Sequence, residues 1–189
     1  AVGLMEVVEW AKLSALSAHA TGPDTLFDEI AALGVDYGFE RSVKFFQGGI
    51  NPNRGLLTLH SKAFGTRRLD RLLRILGKLH APKYVIAEIA EGLEAADLVH
   101  FGCEYEKDGW RFKVYLEFAS KFREACAVNP PPSDEVLAYL AYKWKPAAND
   151  LPIITRYFGH SELDAKAIRS RIIQAFTTRT GRRIAHLIE

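Results

Sequence analysis

The stretch from Asp97 to Ala119 constrains this chain most, because two runs of alternating residues flank the dipeptide Asp108-Gly109. Asp-Gly between such runs is a hairpin signal. A type I′ turn needs positive φ at both central residues, and these residue types tolerate it. A two-residue turn at Asp108-Gly109 pairs Lys107 with Trp110, Glu106 with Arg111 and Glu104 with Lys113. It also sets Gly102 against Tyr115, as an aromatic covering a glycine, and His100 against Glu117. Side chains alternate faces along a strand. One face therefore carries Val99, Phe101, Cys103, Tyr105, Phe112, Val114, Leu116 and Phe118. The other carries His100, Gly102, Glu104, Glu106, Arg111, Lys113, Tyr115 and Glu117. A slip of one residue would mix the two sets, so the pattern specifies the pairing.

The apolar face needs a cover, and the polar face is where a function can sit. Two readings of that face stay open. It is a wet surface of cross-strand ion pairs, each adding roughly 0.2–1 kcal/mol. Or it lines a concave site in which Arg111 and Lys113 bind an anion.

The 189 residues are 48% hydrophobic and 25% charged, which suits one α+β domain or a piece of a longer protein. No apolar run is long enough to span a bilayer, so a membrane is not an expected partner. Val2–Ala18 is apolar, but it lacks a basic leader and holds Glu6 and Glu9; it reads as a buried helix rather than a signal peptide. Cys103 and Cys126 form no pattern, which points to a reducing, cytoplasmic setting. His19, His60, His80, His160 and His186 have no short ligand spacing, and no serine sits in a nucleophile elbow. No metal and no cofactor is expected.

Charge is unevenly spread. Residues 61–83 hold seven cations against Asp70, and residues 156–183 hold seven against Glu162 and Asp164. Two basic helical segments are one way to build a phosphate-binding stripe. Charge runs on amphipathic helices are more often solvated faces, and no nucleic-acid-binding signature accompanies these. Nucleic acid is therefore not the expected partner.

The remaining elements follow from periodicity and punctuation. Pro23 opens a helix with Leu26, Phe27, Ile30 and Leu33 as its stripe, and Gly34 stops it. Val35–Phe46 alternates as a strand, with Glu40, Ser42 and Lys44 on one face. Gln47–Gly55 reads as a glycine-rich loop without the lysine and helix of a P-loop, and Leu56–Ser61 as the return strand. Thr66–Leu79 is a helix burying Leu69, Leu72, Leu73, Leu76 and Leu79. Pro82–Ala96 is another, burying Val85, Ile86, Ile89 and Leu93. After the hairpin come a short helix at Lys121–Val128, the Pro130–Pro132 joint, and strands at Val136–Lys145 and Leu151–Phe158. Ser161, with Asp164 three residues on, caps a helix that buries Leu163, Ile168, Ile172 or Ile173, and Phe176. Arg183–Ile188 is a final strand.

The expected fold is α+β: repeated α-β-β-α units, with a mostly antiparallel sheet of about seven strands and helices packed on one face. The other face gathers Glu40, Lys44, Thr58, His60, His100, Glu104, Arg111, Lys113, Tyr115, Glu117 and Lys143.

This unit order, with Arg111-Phe112-Lys113-Val114-Tyr115-Leu116-Glu117 on one strand, resembles the ABBA aromatic prenyltransferases. Lys143 and Arg156-Tyr157 resemble a second such element. The resemblance implies a barrel with helices outside, strand-borne lysine and arginine holding a prenyl diphosphate, and tyrosines shielding the allylic cation. Mapped here, Arg111, Lys113 and Lys143 hold the diphosphate, with Lys44 and Glu104 on the same face. Tyr115 stabilises the cation through its π face. Glu117 or Glu104 orients the acceptor or takes a proton, and His100–Glu117 is an acid–base pair. The family's barrel has more strands than are counted here.

Two other classes remain open. One is a non-catalytic module holding a small anionic or aromatic ligand on the same face. The other is an interaction domain, homo-oligomeric or with a foreign partner, that pairs through the Val2–Ala18 helix and the terminal strand.

Overall fold

The computed structural model describes residues 22–128, 135–146, 151–160 and 163–175. The expected elements at Val2–Ala18 and Arg183–Ile188, the Pro130–Pro132 joint and the Ser161 cap lie outside the described residues.

The fold is α+β. Among the described residues, five α-helices accompany one sheet of six strands in meander order, and the seventh strand expected, Arg183–Ile188, lies outside them. In chain order the elements are α1 (Pro23–Ala31), β1 (Gly38–Phe46), β2 (Gly49–His60), a 3-10 segment (Ser61–Arg67), α2 (Arg68–Lys78) and α3 (Lys83–Gly92). Then follow β3 (Leu98–Glu106), β4 (Gly109–Glu117), α4 (Ala119–Ala127), β5 (Val136–Trp144), β6 (Ile153–Gly159) and α5 (Ala165–Ala175). The chain forms two compact units. The described residues of the first are 22–119 and 138–157; those of the second are 120–128, 135–137, 158–160 and 163–175.

In the first unit one face of the central strands, odd-numbered on β2 and β3 and even-numbered on β4, is the core. Leu57, Leu59, Val99, Phe101, Val114 and Leu116 are buried there, and from the helices so are Leu26, Ile30, Leu72, Leu76, Val85 and Ile89. Burying a side chain of this size stabilises by about 1.5–3 kcal/mol, so this face holds the unit together. Gly92 permits the close approach of α3 to β4, because a Cβ there would come 2.6 Å from Leu116 Cδ1.

The helix stripes need one correction. In α2 the buried residues are Leu72, Ile75 and Leu76, followed by Leu79, while Leu69 and Leu73 are exposed. The spacing 72, 75, 76, 79 is one helical face, and Leu69 and Leu73 fall on its flank. Trp144 Nε1 on β5 donates to the Leu79 carbonyl at 2.9 Å and pins the end of α2 to the sheet.

The β3–β4 hairpin keeps the expected faces but not the expected turn. The loop residues are Lys107 and Asp108, and Gly109 is the first residue of β4, at φ +125°. Glu106 pairs with Gly109, Glu104 with Arg111, Gly102 with Lys113 and His100 with Tyr115. The register has moved by two residues. A shift of two preserves which face each side chain takes, whereas a shift of one would not. Lys113, not Tyr115, therefore lies across from Gly102, whose missing Cβ would meet Lys113 Cβ at 3.4 Å.

The segment expected as a glycine-rich loop is largely strand. Only Gln47 and Gly48 turn, with φ +90° at Gly48, and β2 runs on through Pro52 and Arg54. Between the Ser42–Arg54 and Lys44–Asn51 pairs, β1 spends one residue and β2 spends two. Pro52 and Asn53 are thus the bulged side, where a residue without an N–H is tolerated. The Asn51 side chain accepts from Asn53 N–H at 3.0 Å and closes the kink.

In the second unit, Asp164 Oδ1 accepts from Ala167 N–H at 2.7 Å at the start of α5. Ile168 is exposed there, not buried as expected; of the alternatives Ile172 and Ile173, Ile172 is half-buried and Ile173 exposed, and Phe176 lies outside the described residues.

The C-terminus of α2 yields a test. Ala81 N–H bonds to Leu76 C=O and His80 N–H to Gly77 C=O, the paired bonds of a Schellman cap. His80 occupies the left-handed position at φ +50°, where glycine is usual. A non-glycine residue there costs about 1–2 kcal/mol. His80→Gly should raise the unfolding free energy in urea by roughly 1 kcal/mol, after glycine's greater unfolded-state entropy is subtracted. A loss of stability would show that the His80 side chain contributes more than its backbone costs.

Candidate functional site

The opposite face of the sheet, even-numbered on β1 to β3 and odd-numbered on β4 and β5, gathers most of the polar residues expected at the site. Register alone lines up Ser42, Arg54, Glu104 and Arg111 across β1 to β4, and below them Thr58, His100, Tyr115 and Ala141 across β2 to β5. Two ion clusters and one aromatic group result.

Glu104 is the centre of the first cluster. Its side chain is 3% exposed. It pairs with Lys113 from β4, with Lys44 from β1 at 3.2 Å and with Arg54 from β2 at 3.4 Å. Burial pushes the Glu104 carboxyl pKa up, but the Lys113 hydrogen bond, the charges of Lys113 and Arg54 and the Lys44 bond outweigh it and hold it below the usual range. Burial lowers the Lys113 pKa, partly offset by Glu104, and the nearby charges of Arg54 and Lys143 lower it further. Three cations thus surround one carboxylate, and Lys143 lies directly across from Lys113 on β5. The buried Arg54 Nε has no hydrogen-bond acceptor among the described residues.

The second cluster sits at the turn end of the hairpin. Arg111 donates to Glu106 through Nε at 2.8 Å and NH2 at 2.9 Å. Lys145 reaches Glu106 at 2.9 Å and Asp108 at 2.6 Å. Arg111 is therefore held by a carboxylate in a bidentate clasp. The Arg111 and Lys145 bonds draw the Glu106 pKa down to about 2 despite partial burial.

Below the Glu104 cluster lies a ring of four aromatic side chains. His100 stands 6.4 Å from Tyr115 and 6.2 Å from Tyr139, centroid to centroid, and Tyr157 stands 6.4 Å from Tyr115 and 6.3 Å from Tyr139. The four contacts close on themselves and form a box. His100 is fixed at both nitrogens: Nδ1 lies 2.9 Å from Thr58 Oγ1 and Nε2 lies 2.8 Å from Glu117 Oε2. With Glu117 ionised, Nε2 carries a proton and donates it. Nδ1 then accepts from the Thr58 hydroxyl when the ring is neutral and donates to it when the ring is charged. His100 can take up a proton without losing a hydrogen bond. Burial and the Glu117 charge raise the Tyr139 pKa, and its hydrogen bond to Glu117 adds to this. Burial raises the Tyr115 pKa, with Tyr157 adding to it.

Box and cluster share one cleft of about 460 Å³. Its walls are Glu40, Ser42, Arg54, Gly55, Leu56, His100, Gly102, Cys103, Lys113, Tyr115, Tyr139 and Tyr157. That size suits a small organic ligand. Cys103 is no nucleophile here, since burial pushes its thiol pKa up to about 12. Among the described residues, no three His, Cys, Asp or Glu side chains come together as a metal-ligand set.

Of the residues expected at the site, His100, Lys113 and Tyr115 line the cleft. Glu104 and Glu117 lie behind them as their partners. Lys44 lies beyond Glu104 and borders a separate recess with Phe46 and Ile50. Lys143 flanks Lys113, and Arg111 is committed to Glu106. Arg54 and Tyr139 are not among the expected site residues, and Tyr157 is expected only together with Arg156 as the second prenyltransferase-like element. Tyr139 shares parity with Lys143, and Arg54 shares parity with Thr58, so extending both alternations would have found them. The arginines of the 61–83 run are engaged elsewhere: Arg67 with Asp70, Arg68 with Glu94, Arg74 with Glu29, and Arg71 with the Phe64 carbonyl.

The Glu106 cluster predicts a pH dependence. A carboxyl group whose folded pKa is depressed contributes stability that is complete above its ordinary value near 4.5 and lost as pH falls toward about 2. Urea unfolding of the wild type should weaken across that window. In Glu106→Gln the wild-type advantage should be present at pH 6 and largely gone at pH 2. An advantage that did not change with pH would show that Glu106 is not held ionised by Arg111 and Lys145.

No protein-family model, no curated protein and no solved structure matches this chain.

Proposed function

We propose that the cleft on the polar sheet face binds a small molecule that joins an anionic group to a flat or allylic apolar group. The observation that carries this reading is the meeting of two unlike half-sites in one cleft. At one end three cations share a single carboxylate, and the buried Arg54 Nε, 3.4 Å from Glu104 Oε2, is not in hydrogen-bond geometry with it. A donor so placed is incompletely satisfied, and an anion in the cleft would give it a better acceptor. At the other end four rings in mutual contact line the cleft, and aromatic π faces attract positive or polarisable groups.

A prenyl diphosphate has this chemistry, and the resemblance to aromatic prenyltransferases names the matching reaction. The diphosphate would rest against Arg54 and Lys113, with Lys143 and Lys44 adding charge. Tyr115, Tyr139 and Tyr157 would face the allylic carbon. In transfer, the allylic C–O bond breaks and the diphosphate leaves with the electron pair. An aromatic acceptor forms the new bond and gives up one proton. His100 takes that proton, and Glu117 stabilises the resulting imidazolium.

Binding is tested by calorimetric titration with dimethylallyl diphosphate, geranyl diphosphate and inorganic pyrophosphate. The two prenyl compounds should bind more tightly than pyrophosphate. Arg54→Gln should weaken all three by roughly tenfold or more, the worth of a charged hydrogen bond. Tyr157→Ala should weaken the prenyl compounds and leave pyrophosphate unchanged. Absence of binding by all three, or equal binding by all three, would contradict the two-part site.

A further inference from the structure

Strand β1 is an edge of the sheet: among the described residues it pairs with β2 alone. Along its nine residues only Phe39 is partly covered, and the other eight are exposed. They include Val43 at 48%, Phe45 at 76% and Phe46 at 54% exposure. An exposed apolar edge is a template for another strand, and natural sheets blunt such edges with proline, bulges or charges. β1 has no proline, and the extra residue of its bulge belongs to β2, so the outer rim of β1 stays regular. Its charges do not blunt it either. They are arranged to match themselves.

We infer that β1 pairs antiparallel with β1 of a second copy, about a two-fold axis at Ser42. The sequence Gly38-Phe39-Glu40-Arg41-Ser42-Val43-Lys44-Phe45-Phe46 is complementary to its own reverse in this register. Glu40 meets the partner's Lys44, and by symmetry Lys44 meets the partner's Glu40. Phe39 meets the partner's Phe45 on the opposite face. Gly38 meets the partner's Phe46, an aromatic over a glycine. Arg41 lies against the partner's Val43, with its aliphatic stem on the apolar side chain. Sliding by two residues keeps the faces but sets Arg41 against its own copy in one direction, and Glu40 against Phe46 in the other. Charge therefore selects a single register, and the two-fold symmetry counts each pair twice. The ladder would run about 30 Å, and the sheet would continue through both copies. Lys44 is half exposed while bonded to Glu104, so it has donors left for a second carboxylate. This dimer does not depend on the ligand reading of the cleft.

Sedimentation equilibrium of the full chain tests it. The wild type should sediment as a dimer of twice the chain mass. Glu40→Lys and Lys44→Glu should each raise the dimer dissociation constant roughly tenfold or more, because each places like charges opposite at two points. The double swap, Glu40→Lys with Lys44→Glu, should restore most of the lost affinity, which a merely sticky patch would not do. Phe45→Lys, at an exposed position, should also dissociate the dimer while circular dichroism shows the fold intact. A monomer at 100 μM (a concentration of roughly 10⁻⁴ M, weak for any stable dimer), or a dimer indifferent to all four variants, would overturn the proposal.

Discussion

One buried carboxylate organises the polar side of this protein. Glu104 on β3 binds Lys44 on β1, Arg54 on β2 and Lys113 on β4, so a single residue ties the side chains of four neighbouring strands together. Its position is demanded by what surrounds it. Lys113 is buried and lies across from Lys143, and like charges directly opposite repel. Without Glu104, Lys113 would face desolvation and repulsion with no anion within reach. With it, the cluster carries more positive than negative charge and still packs. The carboxylate sets how much cationic charge this face can bury, and the surplus is what makes it suited to an anion.

The two faces of the sheet divide the work. The side chains of one sheet face and the helices α1 to α3 form an apolar core that needs no polar partner. The side chains of the other face are held by hydrogen bonds and ion pairs that run across strands. That network is directional, so it positions groups more closely than an apolar core does. The box of His100, Tyr115, Tyr139 and Tyr157 follows from it: His100 is fixed by Thr58 and Glu117, Tyr139 bonds to Glu117, and Tyr115 and Tyr157 pack around them. On the proposed reading these fixed aromatic and basic groups would be a pre-organised site, and pre-organisation lowers the cost of binding.

Much of this was legible in the sequence because it depends on parity. The alternation on either side of Asp108-Gly109 assigned every residue of β3 and β4 to its face, and the assignment survived a register shift of two. The ion pairs Glu104–Lys113 and Glu106–Arg111 survived it as diagonals, because long side chains bridge the extra distance. The turn itself was misplaced, since Gly109 takes its positive φ as a strand residue and Asp108 does not take one at all. The strand through Gly49–Gly55 was hidden by glycine, asparagine and proline, which usually punctuate loops; a bulge accommodates them here. That hid Arg54. Tyr157 was hidden for another reason: Arg156 and Tyr157 are adjacent, so parity alone did not say which of them faces the cleft. The misread stripe of α2 arose from choosing among many leucines, where periodicity permits more than one face.

The most direct test of the account is a double-mutant cycle between Glu104 and Lys113, read by urea unfolding at pH 7. Breaking a buried ion pair from one side costs about 3–5 kcal/mol, because the other charge is left buried and unpaired. Glu104→Gln should therefore destabilise by that order. Adding Lys113→Met, which removes the stranded charge and keeps the bulk, should recover a large part of the loss. A Glu104→Gln cost below roughly 1 kcal/mol, the level of an exposed pair, or strict additivity of the two substitutions, would show that Glu104 does not organise this face.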